Sequence, residues 1–153
     1  MSLRTRISTD MKAAMKAKDG PRLSTLRLIS AAIKDRDIAA RSEGDDAAVS
    51  DAEIQTILAK MIKQRAESAR TYEEAGRLEL AQEERDEIAL IERYLPKQLD
   101  AEVTAQAIDA EIAALGAESI RDMGRVMAGL KAKYAGQMDF SQVGPQVRAR
   151  LGG

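Results

Sequence analysis

The chain has 153 residues, of which 44% are hydrophobic, 32% charged and only 3% aromatic. It contains no cysteine and no histidine, so disulfides, the usual zinc sites and nucleophiles activated by histidine are excluded. The net charge is −1, yet residues 1–41 carry ten basic against four acidic residues, an imbalance that permits an anionic partner.

Apolar residues recur at helical spacing along the chain and no strand pattern competes, so the sequence predicts an all-α fold. The first helix is expected to end near Lys18 and to bury one stripe: Leu3, Ile7, Met11, Ala14 and Met15. Gly20-Pro21 is expected to separate the first helix from the second, because proline fits the first turn of a helix. That second helix should run from about Arg22 to Arg41, and residues 42–49 predict a mobile acidic loop.

Two helices in the middle of the chain are predicted to pack as an antiparallel pair. Ser50 and Glu53 form a capping box that starts the first of them. Gly76 is expected to end this helix in the left-handed conformation, and Pro96 ends the second one because proline disfavours helix at the preceding residue. A hinge is therefore expected there, between an N-terminal subdomain at residues 1–96 and a C-terminal one at residues 97–153.

The C-terminal part predicts three shorter helices delimited by capping aspartates and glycines: Asp100 to Gly116, Asp122 to Gly136, and Asp139 onwards. The buried stripe of the first of these is expected to hold Val103, Ile108, Ile112 and Leu115. Pro145 lies six residues into the last segment and predicts a late start or a kink. The predicted architecture is a four-helix N-terminal bundle joined by a hinge to a three-helix C-terminal bundle.

The sequence contains no constellation that points to a catalytic residue, a metal ion or a cofactor. The acidic run Glu83–Glu87 could supply two carboxylates for acid–base chemistry, but ion pairs on a solvated helix face explain it better. No glycine-rich phosphate loop is present. No segment is apolar over 18 residues, so no membrane span is predicted, and residues 1–12 lack the apolar core of a secretory signal. A cytoplasmic location is the resulting expectation.

Two groups of basic residues are candidates for contact with phosphates. One lies in the sixth helix, where only Asp122 opposes Arg121, Arg125, Lys131 and Lys133. The other lies near the N-terminus and contains Lys12, Lys16, Arg22, Arg27 and Lys34. Gly124 and Gly129 interrupt the sixth helix at a cost of about 1 kcal/mol each relative to alanine. Either close helix packing, the favoured explanation, or the close approach of a ligand backbone would offset that cost.

Several segments together resemble the YqeY family, also called GatB/YqeY-domain proteins. The most specific are Tyr94-Leu95-Pro96-Lys97-Gln98-Leu99 and Met123-Gly124-Arg125-Val126-Met127. The others lie at residues 10–16, 22–27, 63–72, 75–77, 79–81 and 87–94, with Gly136 and Asp139. The resemblance covers nearly the whole chain.

The resemblance implies a fold similar to the tail of the B subunit of the aspartyl/glutamyl-tRNA amidotransferase, which engages the body of tRNA and carries no chemistry. It implies tRNA as a partner, with an aminoacyl-tRNA synthetase or an amidotransferase component as a further one. By resemblance, the contact candidates are Gly124, Arg125, Lys131 and Lys133, and charge alone adds Arg121. The alternative is a protein-interaction adaptor that uses the acidic helices of residues 66–99. Carbon–nitrogen ligase activity, inherited as a label from the amidotransferase, is disfavoured because the chain has no cysteine or histidine nucleophile system.

Overall fold

The computed structural model describes residues 2–44 and 48–152, and every regular element in these ranges is helical. The prediction of an all-α fold is therefore confirmed. Two compact units divide the chain, Met1–Leu95 and Pro96–Gly153. The predicted acidic loop falls partly on residues 45–47, which lie outside the described residues.

The first unit contains four described helices. The second contains three, and a short 3₁₀ turn precedes the middle one of these. In the first unit they are α1 (Leu3–Lys16), α2 (Gly20–Ser42), α3 (Asp51–Glu74) and α4 (Leu78–Glu92). In the second they are α5 (Ala101–Leu115), the 3₁₀ turn (Ile120–Asp122), α6 (Met123–Tyr134) and α7 (Phe140–Arg150).

Helix ends follow the residues that the sequence marks for them. The side chains of Ser50 and Asp100 accept the backbone N–H groups three residues on, as caps do. Gly76 and Gly116 follow their helices with φ of 74° and 62°, a conformation that glycine adopts without a Cβ clash. Helix α4 ends at Glu92, four residues before Pro96.

The core of the first unit is aliphatic and draws on all four of its helices. Its fully buried large side chains are Leu26, Ile29, Ile54, Leu58 and Ile91. The predicted stripe of α1 is wrong at Met15, which is 53% exposed. The three buried residues of α1, Leu3, Ile7 and Ala14, point within about 40° of one another, whereas Met15 points about 80–120° away from them.

Tyr94, the first residue of the most specific family segment, ties the end of α4 to α1. It is 5% exposed, and its hydroxyl donates to Asp10 Oδ2 at 2.5 Å. The guanidinium of Arg6 lies 5.2 Å from the centre of its ring. Burial, together with the hydrogen bond to Asp10, raises the pKa of Tyr94 to about 12.

We expect Tyr94 to ionise near pH 12 and its burial to make the protein sensitive to alkali. The ordinary pKa is 10.0, so the unfolded chain releases this proton first. The contribution of Tyr94 to stability is complete below pH 10 and is lost as the pH rises towards 12. Ultraviolet absorbance of the phenolate, measured as wild type minus Tyr94→Phe, gives the pKa. A difference titration centred at pH 10 would contradict the prediction.

The second unit has its own core, formed by the inner faces of α5, α6 and α7. Ile108, Val126, Leu130, Val143 and Val147 are its most buried members. The segment before α5 is held within this unit: Leu99 N–H donates to the Gln137 carbonyl at 3.0 Å, and the Gln98 amide donates to the Gly136 carbonyl. Gln98 and Leu99, which belong to the family segment at residues 94–99, therefore form hydrogen bonds inside the second unit.

Three details of the second unit differ from expectation. Val103 is 42% exposed, because the buried face of α5 instead passes through Thr104, Ala107, Ile108 and Glu111. Helix α7 starts at Phe140 and continues through Pro145, so the late start is wrong. Asp122 precedes α6 but its side chain does not cap that helix; it caps the 3₁₀ turn, which the sequence analysis missed.

Candidate functional site

The start of α6 is fixed by one carboxylate. Asp122 accepts the backbone N–H groups of Glu118 at 3.0 Å and Ser119 at 3.4 Å, and it pairs with Arg125 at 2.9 Å. These backbone hydrogen bonds, with the guanidinium beside them, hold the pKa of Asp122 below its usual range. The Asp122 carboxylate thus fixes the backbone that leads into α6 and orients the side chain of Arg125.

Gly124 lies in the first turn of α6, is exposed, and has open space where a side chain would be. A Cβ built there meets no atom within 4 Å among the described residues. Helix packing, which was the favoured explanation for this glycine, therefore does not account for it. Close packing of another described segment against this position therefore does not explain why it is a glycine.

The five predicted residues of this region do not share one face of α6. Gly124 and Lys131 are seven residues apart and lie within about 20° of each other, and Arg121 and Arg125 flank the same end of the helix. The ammonium of Lys131 stands 6.0 Å from the ring centre of Phe140. Lys133 follows Gly124 by nine residues and therefore points about 180° away from it.

Lys133 forms an ion pair with a buried carboxylate. Its Nζ lies 2.6 Å from Oε2 of Glu111, whose side chain is only 6% exposed, and this hydrogen bond raises the pKa of Lys133. The carboxylate fits because Gly129 has no side chain: a Cβ at that position would lie 2.9 Å from Glu111 Cδ. Gly129 thus serves helix packing. Sequence reasoning missed Glu111, although it is the one charged residue on the buried stripe of α5.

The second predicted basic group lies on α1 and α2 of the first unit. Arg22 pairs with Asp10 at 3.9 Å, the carboxylate that also accepts from Tyr94. The other four are exposed, and no described residue forms an ion pair with them: Lys12, Lys16, Arg27 and Lys34. The two predicted basic groups therefore belong to different units, one group to each.

Two residues of the acidic run on α4, Glu87 and the arginine within the run, Arg85, form ion pairs with α3. Glu87 Oε2 accepts from Arg65 Nε at 2.7 Å, and the Arg65 side chain is 14% exposed. Arg85 pairs with Glu73, and the Gln82 amide donates to Asp86 at 2.8 Å. The arrangement is that of an ion-paired helix pair. Glu87, one of the residues of the adaptor hypothesis, holds α3 and α4 together.

No described part of the molecule offers a metal site or a membrane-spanning helix. Within residues 2–44 and 48–152, no three acidic side chains approach closely enough to hold a metal ion, and none of the helices there has the length and apolar character to cross a membrane. A depression of about 510 Å³ at the end of α5 is lined by Asp109, Gly116 and Arg150 among others. It contains none of the predicted residues, and Arg150 pairs with Asp109 at 2.6 Å.

Comparison with curated proteins finds relatives in yeasts, each named "Altered inheritance of mitochondria protein 41, mitochondrial". The protein of Clavispora lusitaniae is 34% identical over 105 residues, 67% of this chain and 58% of the relative. That of Kluyveromyces lactis is 31% identical over 105 residues, 67% and 55%. That of Eremothecium gossypii is 36% identical over 90 residues, 58% and 46%. The matches thus span about half the length of these relatives.

The expected cytoplasmic location is corrected by this comparison, because these relatives are named as mitochondrial proteins. The expectation rested on what the sequence lacks, and such an absence does not locate a protein. The model of one family, described as "Yqey-like protein", matches residues 4–151. The match includes both segments that carried the resemblance, and the chain belongs to the YqeY family.

Proposed function

We propose that the chain is a non-catalytic helical module that binds tRNA through phosphate contacts at the start of α6, in association with tRNA-dependent amidation or aminoacylation. The observation that carries the proposal is Gly124. It is a helical glycine that packs against nothing in the described chain and stands between exposed cations. An external backbone that approaches closely would use the space that a side chain would fill.

The charges around Gly124 favour an anionic partner. Neither Arg121 nor Lys131 has an ion-pair partner among the described residues, and the Lys131 ammonium lies 6.0 Å from the ring centre of Phe140. Arg125 is paired with Asp122, but its side chain is 57% exposed; a surface pair of this kind is weak and can be exchanged for a phosphate.

Lys133 has a different role in this proposal from the one that the resemblance implied. Its ammonium neutralises the buried carboxylate of Glu111, so a variant at Lys133 would disturb packing between α5 and α6. It is therefore left unchanged in the experiment. Arg121, Gly124, Arg125 and Lys131 remain as the proposed contact surface.

The test is a salt titration of binding to bulk tRNA by the wild type and a variant with Arg121, Arg125 and Lys131 changed to Glu. We expect at least a tenfold loss of affinity and a slope of log affinity against log salt that is shallower by about 2–3, since each phosphate contact contributes roughly 0.7–0.9. The control reverses three cations of the first unit, Lys60, Arg70 and Arg77, and changes net charge equally.

Two outcomes would overturn the proposal: no binding by the wild type at low salt, where attraction is strongest, or an equal loss in the control. Gly124→Ala sharpens the test because its Cβ meets nothing in the described chain. It should weaken tRNA binding without destabilising the protein. Full affinity in Gly124→Ala would contradict the placement of the tRNA contact at Gly124, on which the proposal rests.

A further inference from the structure

A groove between α1 and α2 has no part in the proposed function. It encloses about 390 Å³ and lies wholly within the first unit. Its lining residues recur at spacings of three and four on both helices, so it runs along the two helix axes. Those on α1 are Arg4, Ile7, Ser8 and Met11, and those on α2 are Ser30, Ile33, Lys34, Asp37, Ile38 and Arg41.

The groove combines an apolar floor with hydroxyl groups and a charged rim. Ile7 and Ile33 belong to the core of the unit, and Met11 packs against it. Ile38 is 51% exposed, an apolar side chain that the described chain leaves in water. Two serines lie among them, and their small side chains permit the close approach of another backbone.

The one carboxylate that lines the groove is already satisfied. Asp37 accepts two hydrogen bonds from Arg4, each at 3.0 Å, and one from the backbone N–H of Val49 at 3.1 Å. The pKa of Asp37 is lowered, and the hydrogen bonds from Arg4 are the largest cause. Asp37 pairs with Arg4 and is attracted more weakly by Arg41; with three cations and one carboxylate among its lining residues, the groove keeps a net positive charge.

Two of these cations, Lys34 and Arg41, belong to a row with a seven-residue repeat on α2. Arg27, Lys34 and Arg41 are all exposed and form no hydrogen bond or ion pair within the described ranges. At 1.5 Å per residue, they are spaced by about 10.5 Å along the helix. Charged residues at heptad spacing beside an apolar seam are the arrangement by which one helix selects another.

We propose that the α1–α2 groove binds an acidic amphipathic helix of a partner protein. The apolar face of that helix would cover Ile38 and Met11, and its carboxylates, repeated every seven residues, would meet Arg27, Lys34 and Arg41. A helix laid in a groove is a common mode of peptide recognition. Charge complementarity and the shared heptad spacing select an acidic helix; a phosphate backbone would leave the apolar floor uncovered.

The test uses a synthetic peptide of three heptads with Leu and Ile at the apolar positions and Glu at the flanking ones. Repulsion between the glutamates keeps the peptide from pairing with itself. Fluorescence anisotropy of the labelled peptide is measured with the full chain. The acidic peptide should bind, and a matched peptide with Lys in place of Glu should not. Absence of binding up to about 1 mM or equal binding of both peptides would overturn the proposal.

Variants then place the peptide in the groove. The double variant Lys34→Glu, Arg41→Glu should weaken binding of the acidic peptide about tenfold or more, since two rim charges are reversed. Ile38→Ser should weaken it through loss of apolar contact. The control Lys60→Glu, Arg70→Glu makes the same charge change on α3 and should leave binding intact; an equal loss would overturn the proposal.

A final arm separates the partner helix from nucleic acid. Single-stranded polyuridylate is titrated against the wild type and the Lys34→Glu, Arg41→Glu variant. If the double variant loses polyuridylate but keeps the acidic peptide, the groove is a nucleic-acid surface and the proposal is overturned. The result is independent of tRNA binding at α6, because none of these substitutions lies in the second unit.

Discussion

Replacing Gly129 with valine is expected to lower the free energy of unfolding of the second unit by about 1–3 kcal/mol, the usual range for overpacking a filled interior. The new side chain would occupy the volume of the Glu111 carboxylate, which is buried and held by Lys133. That carboxylate must move or α5 and α6 must separate. Hydrogen exchange of the amides in α5 and α6 measures the effect, and unchanged protection would contradict it.

Gly124→Ala is the matched control on the same helix. Apart from its chain neighbours and the backbone of its own helix, no described atom lies within 4 Å of its new Cβ, and alanine favours helix over glycine by at most about 1 kcal/mol. Stability should therefore rise slightly. A second control combines Gly129→Val with Glu111→Ala, which vacates the contested volume and leaves Lys133 in solvent; it should recover much of the lost protection.

Leu58→Ala is expected to lower the free energy of unfolding of the first unit by about 2–5 kcal/mol. Leu58 is fully buried in the core of α1 to α4, so truncation removes apolar contact and leaves a cavity. A loss of this size is a large part of the stability of an ordinary domain. Urea denaturation followed by circular dichroism gives the change in unfolding free energy.

Leu78→Ala supplies the comparison, because it deletes the same atoms from a side chain that is 67% exposed. Its effect should stay within about 0.5 kcal/mol. Similar losses in both variants would show that burial of Leu58 does not govern its contribution.

Local features of the fold could be predicted because they depend on neighbouring residues. Ser50, Asp100, Gly76 and Gly116 each act within one turn of a helix end, so sequence spacing suffices to place them. The 3₁₀ turn before α6 escaped prediction because the Asp122 carboxylate has two competing uses: it can cap the helix that follows, or accept from the N–H groups before it. Only the folded backbone decides between them.

The candidate surfaces were harder to predict, since a charge pattern does not give the partner of each charge. Lys133 and Arg121 look alike in sequence, yet one meets a buried carboxylate 22 positions away and the other is exposed to solvent. The two glycines of α6 also look alike, although Gly129 faces Glu111 and Gly124 faces open space. These differences arise from the packing of α5 against α6, which periodicity does not determine.

The contact between Glu111 and Gly129 makes two distant positions epistatic. Because a Cβ at 129 and the carboxylate at 111 compete for one volume, the tolerated residue at either position depends on the other. Relatives with a side chain at the position of Gly129 should carry a shorter residue at that of Glu111, and the order of the two changes matters. If residue 111 is shortened first, the single variant stays folded. If residue 129 is enlarged first, the single variant is destabilised.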